Sequence, residues 1–455
     1  MTIPIITAAL ITIVAGWMII KRYPVHIVLL ASGLIIIGIC ILCGTTQFLP
    51  KGTKTTGFVW FDLIELINAI TKKQVVGVGL IIMTCGGFAG YMSQIGAANR
   101  LVQLCAEPLR ALSKPYFVLA LAYLIGQGIN LVVVSAAGLT MLLLVAFYPI
   151  LVGVGVSRGA AAACIACCSA IAAGPLFGTQ QLAAKVANVD SMAYFVEWQL
   201  PACWLAYIVT AVAIFFTAKY YDAKKVDIDD EVQEAKAPVA RECPKWYAVF
   251  PFVPIVLLFV FSKFGIASIK LSTPSALMLT WIVVAIIELI RLRDAKLVMK
   301  DCLVFFKKMG ALFGGVVALV ICAEVFATGL RVSGLVSEII GEAKGFGFGV
   351  GGMTCVLSGL VGIVTFLTGS GVGAFSAFAN LSVDVQNQVG GNLPAMMVPM
   401  HLACSVFRSM SPVAGCLIAA ALVAGVSPMS LVRRNWIPMC ACFGTILLMN
   451  QFFNM

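Results

Sequence analysis

Hydrophobic residues are grouped along this chain into runs of the length that crosses a lipid bilayer, with short polar segments between them. A membrane-spanning helix needs about 20 consecutive apolar residues, and ten runs approach or exceed that length: 3–20, 24–44, 75–93, 159–184, 197–217, 247–262, 273–290, 309–327, 395–425 and 437–453. Two more apolar regions, 115–153 and 346–383, are too long for one crossing and contain Gly, Ser or Asn in their middle. The pattern predicts an all-α integral membrane protein with about 10 full spans.

The composition excludes most other classes of protein. Hydrophobic residues make up 61% of the 455 positions and charged residues 11%, with a mean hydropathy of +1.05, whereas soluble domains carry roughly 25% charged residues. The net charge of +11 does not indicate a nucleic-acid partner, because membrane proteins collect Lys and Arg in their cytoplasmic loops and are basic for that reason. No nucleic-acid partner is therefore expected. With two histidines, and 16 cysteines that lie mostly in apolar runs, we expect no metal site and no cofactor.

The two halves of the chain resemble each other, which predicts an internal duplication. Three segments of the first half occur in the order YMSQIGAANRL (91–101), SAAGLTML (135–142) and CIACCSAIAAGPLFGTQQLAA (164–184). Three similar segments of the second half occur in the same order, namely GLRVSGLVSEI (329–339), SGVGAFSA (370–377) and HLACSVFRSMSPVAGCLIAAA (401–421). We therefore predict a first repeat at 1–217, a cytoplasmic linker at 218–246 and a second repeat at 247–455.

Within each repeat the same parts are predicted in the same order: scaffold helices, a re-entrant hairpin, a broken helix and a last helix. In the first repeat these are 1–93, 115–153, 159–184 and 197–217, and in the second they are 247–327, 346–383, 395–425 and 437–453. With hairpins at those positions, 20 of the 30 Lys and Arg residues lie inside, nine lie outside, and Arg408 lies in the membrane. The bias follows the positive-inside rule and makes the two repeats inverted, as in many secondary transporters.

The hairpin tips are candidate anion sites. A half-helix that begins at mid-membrane presents unpaired N–H groups and a partial positive charge, and Ser135 and Ser370 stand where an N-cap would stand. Gly138, Gly369 and Gly371 would let a carboxylate approach the backbone closely. The alternative is that these small residues only allow tight helix packing.

The two broken helices supply further candidate ligands. Gly174 and Thr179 flank the first break, next to Pro175, and Ser409 and Ser411 precede Pro412 at the second. A proline frees a helix carbonyl, and hydroxyl groups are oxygen ligands for a substrate or a cation, although a simple proline kink is the alternative.

Arg408 is the strongest single candidate for a substrate contact, because a charge near the bilayer centre needs a partner. Its guanidinium matches a substrate carboxylate at two points, while Glu324 is the alternative partner within the protein. Glu324 and Asn130 are also candidates for coupling to Na⁺ or H⁺. For Asn130, as for Gln127, interhelical hydrogen bonding is an equal alternative, and His401 is expected to be structural rather than a proton relay.

Four segments resemble the anaerobic C4-dicarboxylate uptake C family of the ion transporter superfamily. They are GLVGIVTFLTGSGVGAFSAFAN (359–380), PMHLACSVFRSMSPVAG (399–415), AEVFATGL (323–330) and GVSPMSLVRR (425–434). The resemblance implies carriers for succinate, fumarate and malate in the inner membrane of anaerobic bacteria. It also implies a homodimeric scaffold, elevator-type movement, and substrate contacts at Ser370 with its flanking glycines and along 408–412.

The sequence thus predicts a multi-pass secondary active transporter of small dicarboxylates, working by exchange or by ion coupling. The alternative on the same fold is an amino-acid or peptide exchanger. An enzyme is not expected, because two histidines and scattered acids supply no acid–base set. A channel would be distinguished by a much faster flux that internal substrate does not stimulate.

Overall fold

The computed structural model describes residues 3–21, 23–50, 52–224, 241–266, 268–269, 271–345 and 349–453. All regular structure in these residues is helical, which confirms the predicted all-α class. Residues 225–240, the larger part of the predicted linker, lie outside the described residues.

The described part of the first half contains twelve α-helices. They are α1 (Ile3–Ile20), α2 (Val25–Leu42), α3 (Val59–Gln74), α4 (Leu80–Gln94), α5 (Ala97–Arg110), α6 (Pro115–Asn130), α7 (Ala136–Ala146), α8 (Tyr148–Gly153), α9 (Arg158–Cys167), α10 (Gly178–Val186), α11 (Ser191–Ala193) and α12 (Leu200–Ala223). The π-helical turns Val75–Gly79 and Tyr194–Gln199 join α3 to α4 and α11 to α12.

The described part of the second half begins with a 3₁₀ helix, Lys245–Phe252. Its α-helices are α13 (Val253–Val260), α14 (Thr273–Leu292), α15 (Ala295–Leu312), α16 (Ala318–Val332), α17 (Leu335–Gly345), α18 (Val350–Thr368), α19 (Gly371–Phe378), α20 (Leu381–Val389), α21 (Leu393–Arg408), α22 (Gly415–Ala424) and α23 (Pro428–Phe453). The π-helical turn Phe313–Val317 joins α15 to α16.

Local sequence sets many of these boundaries. The side chains of Ser157, Ser272 and Asp294 each accept a hydrogen bond from a backbone N–H in the first turn of the helix that follows, as N-caps do. Helix α22 ends at Gly425, whose φ of +65° is a left-handed conformation that glycine adopts at low cost.

Six described helical segments are long and apolar enough to cross a membrane, or seven if the pair Val59–Gly77 and Leu80–Gln94, bent by 47°, forms one span. The six are Val25–Leu42, Ser191–Ala223, Thr273–Leu292, Ala295–Val332, Val350–Thr368 and Pro428–Phe453. The predicted runs 159–184 and 395–425 are each divided into two shorter helices. The figure of ten full spans stays a prediction.

Two long helical segments, each with a π-helical turn inside it, approach each other closely at those turns. A Cβ added to Gly79, in the first turn, would lie 2.9 Å from a methyl carbon of Val317 in the second. Helix α2 also packs closely on α16, since a Cβ at Gly33 would lie 2.7 Å from the Cα of Phe326. Such main-chain approach is typical of membrane helix pairs, in which small residues line the contact.

The order of elements is the same in both halves. In each, a helix, a π-helical turn and a second helix are followed by a glycine in the left-handed region, Gly96 with φ +85° and Gly334 with φ +81°. A pair of helices joined at a short turn follows, then a pair separated by a longer break, and then a long helix. Helices α9 and α21, which precede the two breaks, are almost completely buried, so both breaks lie near the centre of the molecule.

Candidate functional site

Both predicted helix breaks are present and they lie side by side. Residues 168–177 separate α9 from α10, and residues 409–414 separate α21 from α22. The backbone N–H of Ala172 donates to Ser405 Oγ at 3.3 Å, and Arg408 Nη2 donates to the Ser169 carbonyl at 3.0 Å. The first break is therefore attached directly to α21.

The carbonyl groups freed by the first break are bound by side chains of α6. Gln127 Nε2 donates to the Cys167 carbonyl at 3.1 Å, and Asn130 Nδ2 donates to the Ile171 carbonyl at 3.1 Å. These donors replace the N–H groups that a continuous helix would supply. The interhelical alternative for both residues is thus observed. The Oδ1 atom of Asn130 is buried and accepts no hydrogen bond, so it keeps the free oxygen that a cation ligand needs.

A buried hydrogen-bonded chain holds the other side of the first break. The N–H of Gly174 donates to Gln199 Oε1 at 3.3 Å, and Gln199 Nε2 lies 3.1 Å from His401 Nδ1. Because the Gln199 amide nitrogen is the donor there, the His401 Nε2 carries the proton and donates to Thr179 Oγ1 at 3.2 Å. Both ring nitrogens of His401 are occupied, as expected of a structural histidine. Gln199 was not identified from the sequence, because only the fold brings it to the break.

The serines of the two predicted hairpins, Ser135 and Ser370, are N-caps, as predicted. Gly138 N donates to Ser135 Oγ at 3.2 Å at the start of α7, and Gly373 N donates to Ser370 Oγ at 3.3 Å at the start of α19. Each cap satisfies one of the N–H groups that have no partner within the helix. Ser135 is exposed, and a Cβ at Gly138 would meet only the Ser135 side chain, so this first tip, residues 131–138, is open.

The second tip, residues 369–373, is packed against α21 and the second break. A Cβ at Gly371 would lie 2.9 Å from the carbonyl carbon of Cys404 and closer still to its oxygen. Gly369, with φ +72°, would place a Cβ 2.8 Å from the Val413 carbonyl oxygen. The close-packing alternative therefore accounts for both glycines, in contrast to Gly138.

The two serines of the second break make hydrogen bonds within the protein. Ser411 Oγ donates to the Phe366 carbonyl at 2.6 Å, which ties the break to the end of α18. Ser409 Oγ donates to the Ser405 carbonyl at 3.1 Å, and the Ser409 carbonyl accepts from Asn435 Nδ2 at 3.0 Å. Both residues thus fix the shape of the break.

Arg408 lies between the two breaks without a carboxylate partner. It is half-buried, its Nε is buried without a hydrogen bond, and no ion pair joins it to an acid among the described residues. Among the described residues its one hydrogen bond is with a neutral carbonyl, that of Ser169. The site therefore has a cation whose charge is not neutralised within the described part of the chain.

Glu324, the alternative partner for Arg408, is paired elsewhere. Its Oε1 lies 2.8 Å from Arg331 Nη2, and its Oε2 accepts from Asn380 Nδ2. Asp384, which the sequence did not single out, lies 4.0 Å from Arg331 Nε. Burial raises the pKa of the Asp384 carboxyl above its ordinary value, while Arg331 acts in the opposite direction. Two carboxylates thus share one guanidinium, apart from the two breaks.

Among the described residues, no group of three His, Cys, Asp or Glu side chains is placed to hold a metal ion. The cysteines near the first break, Cys164, Cys167 and Cys168, are buried and free, and they behave as small apolar residues.

The site and the fold can be compared with known proteins. The family model described as the C4-dicarboxylate anaerobic carrier, DcuC, matches residues 3–452. The chain belongs to this family. It is 32% identical over 421 residues to the anaerobic C4-dicarboxylate transporter DcuC of Escherichia coli (strain K12), covering 92% of this chain and 90% of that protein. It is also 32% identical over 445 residues to the probable anaerobic C4-dicarboxylate transporter DcuC of Vibrio cholerae, covering 96% and 95%.

A DcuC-family chain is a transporter and not an enzyme. Its fold is similar to that in the crystal structure of the Alcanivorax borkumensis YdaH transporter, with a TM-score of 0.62 and 12% sequence identity over 94% of this chain and 97% of that one. This likeness confirms a transporter fold for the DcuC-family chain. Its apolar helices are those of a multi-pass membrane protein.

Proposed function

We propose that this protein is a secondary active transporter of small dicarboxylates of the succinate, fumarate and malate class. The observation that carries the proposal is Arg408, a half-buried cation at the meeting point of two helix breaks with no protein carboxylate beside it. A planar guanidinium binds a carboxylate at two points. The relatives named as C4-dicarboxylate transporters support the same class of substrate.

In this proposal the substrate lies between Arg408, the first break and the two tips. One carboxylate pairs with Arg408, and the second is received by N–H groups at the start of α7 or α19, where the helix dipole favours an anion. Thr179, Gly174, Ser409 and Ser411 shape this space and hold the breaks in position. The predicted contacts of Gly138, Gly369 and Gly371 are through the backbone.

The proposed architecture is an inverted repeat with two re-entrant hairpins, in the inner membrane of a bacterium. Side-chain contacts support the orientation, because they join segments assigned to the same side. Asp222 accepts from Ser157 Oγ at 2.6 Å and from Arg434 Nη1 at 2.8 Å, and Asp301 accepts from Arg241 Nη1 at 2.7 Å. All five residues belong to the segments proposed to be cytoplasmic, namely 154–158, 218–246, 291–308 and 426–436. Homodimerisation and elevator-type movement are part of the same proposal, from the family resemblance.

The function is tested by uptake of labelled succinate into proteoliposomes that contain the purified protein. We expect saturable uptake that internal succinate stimulates and that fumarate and malate inhibit in competition. Neutral amino acids such as alanine, and dipeptides, serve as competitors for the alternative, an amino-acid or peptide exchanger. Stronger inhibition by a neutral amino acid or a peptide than by fumarate would contradict the dicarboxylate proposal.

We further propose that Glu324 takes part in coupling to Na⁺ or H⁺, and that the unpartnered Oδ1 of Asn130 at the first break is a second, separate candidate. Glu324 and Asp384 share one arginine, so the two carboxylates together carry one more negative charge than Arg331 neutralises. That charge is available to a cation or a proton. Substitution Glu324→Gln is expected to make uptake independent, to within about twofold, of whichever ion gradient drives the unmodified protein. The measurement is a pH and Na⁺ series, with Glu342→Gln on the exposed surface of α17 as the control. A Glu324→Gln variant that keeps the full ion dependence would contradict this role.

A further inference from the structure

A basic pocket lies away from the two helix breaks. It has a volume of about 710 Å³ and is lined by Lys54, Lys72, Lys73 and Lys185 together with Glu65. Three different segments contribute these side chains: the loop before α3, the last turns of α3 and the C-terminal end of α10. The fold thus brings Lys185 to the same cavity as three lysines more than 100 positions earlier in the sequence.

The positive charge of this pocket is not neutralised within the described chain. None of the four lysines takes part in an ion pair there, and the one acid, Glu65, accepts from Asn68 on its own helix. Like charges that converge without a counter-ion repel each other, and they favour an anionic ligand. Burial, and to a lesser degree Lys73, lower the pKa of Lys185, as expected for an ammonium group that has no anion beside it.

The pocket also joins the two parts of the proposed transporter. Lys185 is on α10, the second half of the first broken helix, and its ammonium group lies against the backbone of Gly77 in the π-helical turn after α3. A ligand in this cavity would therefore contact both the scaffold and the element that leads to the first break.

We propose that this pocket is an external capture site for dicarboxylate substrates, separate from the site at Arg408. It rests on the proposed function and orientation, in which all four lysines lie outside. Two carboxylates of a small dianion each find at least one ammonium group, and the lining leaves a net positive charge to attract them. The site raises the local substrate concentration beside α10 and so increases the rate of encounter.

The test replaces all four lysines by glutamine, which keeps their length and polarity but removes the charge. We expect KM for external succinate to rise about tenfold at low ionic strength, which is the size of effect that electrostatic steering produces. The maximal rate and KM for internal succinate should change little. The difference from the unmodified protein should shrink as salt is raised, because exposed charges are screened. Lys263→Gln is the matched control, since Lys263 is paired with Glu197 and lines no part of the pocket.

The outcomes separate this inference from the proposed function. Unchanged external KM in the fourfold variant, with normal uptake by the unmodified protein, overturns the capture site alone. A rise in KM for internal instead of external succinate overturns it as well. Absence of saturable succinate uptake in the unmodified protein counts against the proposed function. In that case succinate binding is measured by calorimetry in nanodiscs. Binding at the pocket should persist in Arg408→Gln and be lost in the fourfold variant.

A lipid phosphate has the same charge chemistry as a free dianion, so uptake is measured in two membranes. In pure phosphatidylcholine liposomes the fourfold variant should still show the raised KM. If the effect occurs only when anionic phosphatidylglycerol is present, the pocket binds a lipid headgroup and the capture site is overturned. Equal thermal stability of the variant and the control in detergent shows that the lysines are not needed for folding.

Discussion

Replacing Arg408 by glutamine is expected to lower succinate uptake by about 30-fold or more. The loss of a charged partner from a buried charge pair typically costs about 2–5 kcal/mol, and each 1.4 kcal/mol corresponds to a factor of ten. Glutamine still has an amide that donates to a carbonyl such as that of Ser169, so the attachment of the first break to α21 is preserved. The change therefore removes the charge and leaves the local structure in place.

Three measurements make this result specific. Uptake and competition are assayed in proteoliposomes, folding is checked by size-exclusion chromatography and thermal unfolding, and Arg433→Gln, an exposed arginine on α23, is the control. A monocarboxylate competitor should inhibit uptake by the unmodified protein and by Arg408→Gln to a similar degree, because one carboxylate can still bind at a helix start. Uptake by a folded Arg408→Gln protein at the unmodified rate would refute the substrate contact.

Replacing Gly371 by alanine is expected to be the most damaging small change in the second tip. The added Cβ would collide with the main chain at Cys404, and a main chain cannot move aside as a flexible side chain does. Overpacking of this kind costs about 1–3 kcal/mol or more, so we expect a clear fall in the unfolding temperature and loss of most transport.

Gly359→Ala on α18 provides the matched control, because a Cβ at Gly359 meets nothing within 4 Å. Alanine also has the higher helix propensity, by up to about 1 kcal/mol, so this control should be as stable as the unmodified protein or slightly more stable. Thermal unfolding in detergent and uptake in proteoliposomes are measured on both variants. Equal stability of Gly371→Ala and Gly359→Ala would show that the second tip is not packed as described.

Local features of the site were predictable from the sequence because they depend on neighbouring residues. A serine before small residues predicted the N-caps at Ser135 and Ser370, and Gly-Pro and Ser-Pro steps predicted the breaks at 168–177 and 409–414. Features that depend on distant segments were not predictable. The contact of Arg408 with Ser169 joins residues 239 positions apart, and that of Glu324 with Asn380 joins residues 56 apart.

The same limit explains which alternatives were resolved only by the structure. Glycine in a tip is equally suited to a ligand and to a neighbouring helix, and only the position of Cys404 distinguishes these uses for Gly371. Asp384 carries no local signal, since its role comes from sharing Arg331 with an acid on another helix. The sequence does not reveal the basic pocket, because Lys185 is more than 100 positions away from Lys54, Lys72 and Lys73.

The main-chain contact at Gly371 makes the two tips mechanically unequal. The second tip rests directly on the backbone of α21, and Ser411 Oγ donates a hydrogen bond to the Phe366 carbonyl of α18, the helix that leads into the tip. We therefore expect the tip to move with the broken helix as one rigid block. The first tip has an exposed serine and open space beside Gly138. The helices follow the same order in both halves, but the second tip is held rigidly and the first tip is free to move. We therefore expect solute to enter and leave the space between the tips past the first tip.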